Sequence, residues 1–214
     1  GSNSWVVSGD NSSTGAPLLA NDPHLGTGVP GVWTQVGLHC TDVGPDCPMD
    51  VAGFGFSGVP GVVIGHNADI AWGFTNLGPD VTDLFLEQVD DETWLYDGER
   101  LPLRTREETI EVRGGEDVGL TVRSTDHGPI LSDVPAQLRE VGGQAVVPGE
   151  SPGLEADGYA VSLAWTALEP APTADALLGF NLASDWEEFR AAAADFAVPA
   201  QNLVYADREG RIGY

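Results

Sequence analysis

Short apolar or alternating runs, separated by Gly, Pro and Asn, dominate the first third of the chain. Residues 5–7, 18–20, 32–38, 62–64 and 70–74 have the length and punctuation of strands rather than helices. Further on, residues 107–113 and 120–124 alternate polar with apolar around Gly114-Gly115, which predicts a hairpin. Residues 142–158 collect Gly, Pro, Glu and Asp without periodicity and read as a loop or linker. A strand is expected over 160–165. The clearest helix starts near Ser184, where Glu187 completes a capping box and Trp186, Phe189, Ala193 and Phe196 form one apolar face ended by Pro199. Residues 203–206 read as a strand running into a turn at 207–210. No internal repeat is present, so the pattern is that of a β-rich α+β chain.

Composition narrows the picture. With 214 residues and 42% hydrophobic content, the chain can bury a core. Its formal charge is −24, from 33 acidic residues against nine basic ones, and every basic residue is Arg. That balance excludes nucleic acid as a partner, since a phosphate backbone would be repelled. A Lys-free, acidic surface is similar to that of proteins from salt-loving organisms, where screening relieves the repulsion. The plainer alternative is an acidic secreted enzyme. No apolar run approaches the roughly 20 residues that cross a bilayer, and no cleavable leader pattern stands at the N-terminus. Cys40 and Cys47 flank a turn-like segment, so a disulfide implying an oxidising compartment and a pair of free thiols both remain open. Their spacing does not suit zinc.

Gly1-Ser2 carries the sharpest chemical suggestion. Cutting that bond would give Ser2 a free α-amine, a base with a pKa of about 8 beside a hydroxyl that needs one. Gly-Ser is also what an expression tag leaves behind. The following residues shift the balance toward the first. Ser2-Asn3-Ser4-Trp5 leads to Ala20-Asn21-Asp22-Pro23-His24-Leu25-Gly26. Then come Pro60-Gly61-Val62-Val63-Ile64-Gly65-His66-Asn67, Ile70-Ala71-Trp72-Gly73-Phe74-Thr75-Asn76 and Gly78-Pro79-Asp80-Val81-Thr82-Asp83. His127-Gly128-Pro129-Ile130 and Gln201-Asn202-Leu203-Val204-Tyr205-Ala206-Asp207 complete the series. In this order the blocks resemble the penicillin acylase family of N-terminal nucleophile hydrolases, nearly end to end.

The resemblance implies an αββα sandwich, two antiparallel sheets between helices, with residues 1–214 as the N-terminal portion of a catalytic β-chain. It implies partners too: an α-chain from the same precursor and the remainder of the β-chain. Ser2 matches the nucleophile and Gly1 the last residue of the spacer. His24 matches a Gln or His that orients the serine or the amine. Asn76 matches the residue whose main-chain N–H stabilises the oxyanion, with Leu77 serving if the loop is shifted by one. The second donor, an Asn, and a nearby Arg are expected beyond Tyr214. Leu25, Ile64 and Phe74 match acyl-pocket positions, an apolar set suited to an aromatic or aliphatic acyl group. Asp80, Asp83 and the carbonyl of Thr82 match a structural Ca²⁺ site.

The activity implied is hydrolysis of a small N-acyl amide, of the penicillin or N-acyl homoserine lactone kind, in a periplasmic or secreted setting and without an organic cofactor. The competing reading is a non-catalytic, acidic, calcium-binding β-rich module. His39, His66 and His127 are expected to be structural. Two further patterns carry nothing: Gly149-Glu150-Ser151-Pro152-Gly153 lacks the strand and helix of a nucleophile elbow, and Asn11-Ser12-Ser13 is a sequon that occurs often by chance.

Overall fold

The computed structural model describes residues 1–149 and 158–214. The first strands are β1 (Ser2–Val7), β2 (Leu18–Pro23), β3 (Trp33–His39), β4 (Asp50–Phe56), β5 (Ile64–Asn67), β6 (Ile70–Asn76) and β7 (Thr82–Glu87). They are followed by β8 (Thr93–Tyr96), β9 (Glu99–Pro102), β10 (Arg104–Ile110), β11 (Val118–Ser124), β12 (Ala160–Trp165), β13 (Gln201–Asp207) and β14 (Ile212–Gly213). The helices are α1 (Ala136–Gln144), α2 (Thr173–Leu182) and α3 (Trp186–Ala194). The elements fall into two compact units, one of Gly1–Pro79 with Pro170–Tyr214 and the other of Asp80–Glu169.

The first unit is built on an antiparallel sheet of order β14-β13-β6-β5-β4-β3. Because side chains alternate along a strand, Ile70, Trp72 and Phe74 of β6 share a face with Leu203 and Tyr205 of β13. Helices α2 and α3 lay Phe180 and Phe189 on that face, with ring centroids 5.5 Å for Phe74–Phe180 and 5.0 Å for Phe189–Tyr205. Burying each such ring contributes about 1.5–3 kcal/mol. Buried Asn181 fastens α2 to the strand entry: its Oδ1 accepts from Val62 N–H at 2.8 Å and its Nδ2 donates to Val62 O at 2.7 Å. Tyr205 donates its hydroxyl to Asp207 Oδ2 at 2.9 Å. Burial first, then the bond to Asp207, holds its phenol above the ordinary tyrosine value.

The second unit contains the β7–β12 ladder, the β8–β9 and β10–β11 hairpins and α1. Trp94, Ile130, Tyr159 and Val161 are buried within it, and Asp133 holds Arg123 through two bonds of 2.8 and 2.9 Å.

Several expectations change in detail. The cap of α3 is Asp185, one residue later than expected. Its side chain accepts from Glu188 N–H at 2.9 Å, while Glu188 Oε2 accepts from the Ser184 N–H and hydroxyl. Residues 142–144 are the last turn of α1, not loop; Gly142 permits it, since a Cβ there would collide with the Tyr159 carbonyl. Residues 150–157 of the expected linker, with most of the Gly149–Gly153 pattern, lie outside the described residues. The two cysteines are joined, with Cα atoms 5.9 Å apart, closing the turn between β3 and β4. The free-thiol alternative is therefore set aside.

Candidate functional site

The first unit contains an apolar cavity of about 220 Å³. Leu25, Trp33, Phe56, Val63, Phe74, Leu177 and Phe196 supply its apolar wall, and Ser2, Asn76, Gln201 and Thr173 its polar groups. The sheet and α2 build it together: Phe74 and Asn76 stand two residues apart on the helix-facing side of β6, opposite Leu203 and Gln201.

Ser2 opens β1 and pairs with Pro23 at the end of β2. Its Oγ accepts a hydrogen bond from the main-chain N–H of His24 at 3.3 Å. The imidazole of His24 takes no part in that contact. Its Nε2 lies 2.8 Å from Asp22 Oδ2, and both side chains are more than half exposed. The contact to Ser2 Oγ comes from the backbone of His24, because the turn after Pro23 folds the His24 N–H back on β1.

Asn21, one residue before that Asp, ties the hairpin to the sheet. Its Oδ1 accepts from Phe74 N–H at 3.0 Å, and its Nδ2 donates to Phe74 O at 2.9 Å and to Asn3 O at 3.2 Å. Strand β5 pairs with β6 only at Gly65–Trp72 and His66–Ala71, so the Asn21 amide occupies the place of a strand neighbour at Phe74. N–H groups along an antiparallel strand point alternately to its two sides. Asn76 therefore aims its N–H to the same side as Phe74, toward the hairpin that carries Ser2. The Leu77 N–H, in contrast, is bonded to Ala200 O at 3.1 Å. The Leu77 N–H is thus already paired, whereas that of Asn76 points to the side of β6 away from β13.

Of the three residues matched to an acyl pocket, Leu25 and Phe74 line the cavity. Ile64 does not: it is buried in the core, and its neighbour Val63 stands at the wall instead. Trp33, Phe56, Leu177, Phe196 and Gln201 were not anticipated. They come from five separate elements or their flanks, and no local spacing in the sequence links them. Asn21 lies within one of the quoted blocks, but its role depends on a contact 53 residues away.

The second unit holds Asp80 and Asp83 along a separate cleft of about 650 Å³. With the Thr82 carbonyl they offer hard oxygen ligands, fewer than the six to eight that Ca²⁺ takes. No cluster of three or more Asp, Glu, His or Cys side chains suited to a metal occurs among the described residues. His127 lines the same cleft but is anchored inward. Its Nδ1 lies 2.9 Å from Oε1 of buried Glu87, which also accepts from the hydroxyls of Thr125 at 2.9 Å and Ser162 at 2.7 Å. Phe85 stacks on its ring at 3.9 Å.

The chain is similar to known proteins over its whole length. The family model described as penicillin amidase matches residues 1–214. The acyl-homoserine lactone acylase QuiP of Pseudomonas aeruginosa is 30% identical over 217 residues, covering 100% of this chain and 24% of that protein. Penicillin G acylase of Escherichia coli is 32% identical over 220 residues, covering 100% of this chain and 22% of that protein. Among solved structures, the thermostable penicillin G acylase from Alcaligenes faecalis matches with a TM-score of 0.73 and 27% identity, over 99% of this chain and 34% of that one. The chain thus spans about a quarter of the length of these curated relatives. Its fold is the N-terminal nucleophile hydrolase fold of that structural neighbour. With the family model matched over every residue, the chain belongs to the penicillin amidase family.

Proposed function

We propose that this chain is the nucleophile-bearing portion of an amidohydrolase that removes the acyl group from an N-acyl amine. One observation carries the reading: Ser2, its Oγ held by a main-chain N–H, shares the wall of an apolar cavity with Asn76. While Gly1 is attached, the Ser2 nitrogen is an amide and cannot act as a base. Autocatalytic cleavage of the Gly1–Ser2 bond frees it. The Ser2 hydroxyl then attacks the substrate carbonyl as its proton moves to the α-amine, directly or through a water. The carbonyl oxygen becomes an oxyanion that the Asn76 N–H stabilises where the charge develops. Collapse expels the amine, which takes the proton from the α-ammonium, and water hydrolyses the remaining ester.

The apolar wall suits an aromatic or aliphatic acyl group. Penicillins and N-acyl homoserine lactones, named in the relatives, are the substrate kinds to screen. The rest of the β-chain, with a second oxyanion donor and an Arg, and an α-chain from the same precursor complete the site. Asp80, Asp83 and the Thr82 carbonyl would contribute to a structural Ca²⁺ site whose other ligands lie elsewhere; that ion would order the chain and take no part in the reaction. The Cys40–Cys47 bridge supports an oxidising, extracytoplasmic location, and the acid-rich surface supports a medium of high salt.

The test is intact mass and N-terminal sequencing of the full-length product in wild type and Ser2→Ala. Wild type should yield a subunit beginning at Ser2 that hydrolyses acyl amides, and the variant should stay whole and inactive. A wild-type protein that stays whole overturns the reading.

A further inference from the structure

The loop between β2 and β3 starts and ends on the cavity: Leu25 and Trp33 both line it. Between them the chain is held by little. Residues 24–32 are exposed throughout, and no group of residues 25–32 makes a hydrogen bond among the described residues. Gly26, Gly28 and Gly31 divide the segment. None has a left-handed φ, and a Cβ at each would meet open space or ordinary contact, so nothing in this arrangement calls for glycine. What three glycines in six residues supply is freedom to change shape.

The side chains of this loop are as unusual as its backbone. In a chain of net charge −24, residues 25–32 carry no charge, and Thr27 is their one polar side chain. Val29 is 102% exposed and Val32 46%. Apolar groups gathered in water beside an apolar cavity gain by being buried. An empty cavity gives them nothing to pack on, and folding the loop down would then cost its conformational entropy without return. An acyl group in the cavity supplies the missing surface. Reach is no obstacle, because six extended residues span about 20 Å, and a round cavity of 220 Å³ is roughly 7–8 Å across.

We propose that residues 26–31 are a lid that closes over the cavity once an acyl group fills it, with Val29 seated on that group. The inference rests on the acylase reading, which supplies the ligand. Closure would shield the reacting ester or amide from bulk water while the apolar group is bound.

The test uses the mature enzyme from the full-length precursor with Val29→Cys. Cys40 and Cys47 are paired, so no other described residue competes for a thiol reagent. Alkylation by N-ethylmaleimide is timed by mass before and after Ser2 has reacted with octanesulfonyl fluoride, in which Oγ bonds to sulfur and fluoride leaves as the hydroxyl proton is lost. A loop closed about nine-tenths of the time slows alkylation about tenfold. Val134→Cys, an exposed position in the other unit, should keep its rate. An unchanged rate for Val29→Cys on the sulfonylated enzyme overturns the proposal, and so does a thiol that is slow in both states, since the loop is then already covered. The triple variant G26A/G28A/G31A gives a second readout: the open loop has room for each methyl, so Tm should hold, while the ratio of kcat/KM for an octanoyl amide over an acetyl amide should fall. A ratio that stays at the wild-type value also overturns the lid. If Ser2 takes up no sulfonyl group, the acylase reading fails and this inference with it.

Discussion

Replacing Asn21 by Leu tests whether one side-chain amide holds the hairpin that carries Ser2 in place. The change keeps size and removes three hydrogen bonds: those to the N–H and C=O of Phe74, at 3.0 and 2.9 Å, and the one to Asn3 O at 3.2 Å. A typical intramolecular bond contributes about 1 kcal/mol net, and stranding a buried partner costs about 1–3 kcal/mol. The Phe74 groups are only part-buried from this side, so water recovers some of the loss and the expected cost is about 2–3 kcal/mol. For a chain of this size that lowers Tm by roughly 4–12 °C. Asn21→Asp is the sharper comparison. It preserves the acceptor for Phe74 N–H but turns the donor into an oxygen facing two carbonyls, so it should be at least as damaging despite identical shape. Thermal and urea denaturation of the processed protein measure both, alongside turnover, which should fall as Ser2 loses its register with Asn76. If either variant stays within about 0.5 kcal/mol of wild type, the claim that Asn21 substitutes for a strand neighbour is wrong.

Three further outcomes are expected. His24→Ala, which keeps the N–H that meets Ser2 Oγ, should lower kcat/KM by less than about threefold, whereas His24→Pro, which deletes that N–H, should lower it by tenfold or more; equal losses would return the role to the imidazole. Glu87→Leu should destabilise by about 3–5 kcal/mol in denaturant titrations, because it strands the Thr125 and Ser162 hydroxyls and His127 Nδ1; a loss under about 1 kcal/mol would mean that these groups find other partners. The Tyr205 phenol, raised in the folded state by burial and Asp207, should stay silent in a 295 nm titration of native protein where an ordinary tyrosine phenol ionises. The unfolded chain releases this proton first, near pH 10, so the contribution is whole below that pH and is lost as pH rises further; Tyr205→Phe should flatten that alkaline decline.

Local pattern carried much of the sheet. The runs at 18–20, 70–74 and 203–206 fall within β2, β6 and β13, because alternation and Gly or Pro punctuation report a strand whatever it pairs with. Strand β4 was not legible: Asp50–Phe56 holds two glycines, and Gly53 is there because a Cβ would strike the Ile64 carbonyl of the next strand, a tertiary reason with no local trace. Helix α2 escaped for a related cause. Its sequence is apolar nearly all round, so no stripe separates a buried face from a wet one, and its start at Thr173 has no side-chain cap bond. The α3 cap slipped by one residue because Ser184, Asp185, Glu187 and Glu188 offer two overlapping boxes, and only the geometry chooses between them.

The candidate site was partly legible for a different reason, namely that its chemistry is divided between side chains and backbone. Ser2 and Phe74 announce themselves by residue type, but the N–H groups of His24 and Asn76 belong to no side chain, and the imidazole that invites a catalytic role turns to Asp22 instead. What makes the Asn76 N–H available is topology. Because β5 leaves β6 after Trp72, the end of β6 has one open side, and an open strand edge ordinarily needs a cover. Asn21 supplies it at Phe74, where the bonds are made by a side chain and the edge closes without another strand. Two residues further the cover ends at Asn76, which lines the same cavity as Ser2. A substitution that let β5 continue its pairing to Asn76 would remove the proposed oxyanion donor while leaving every proposed catalytic side chain in place.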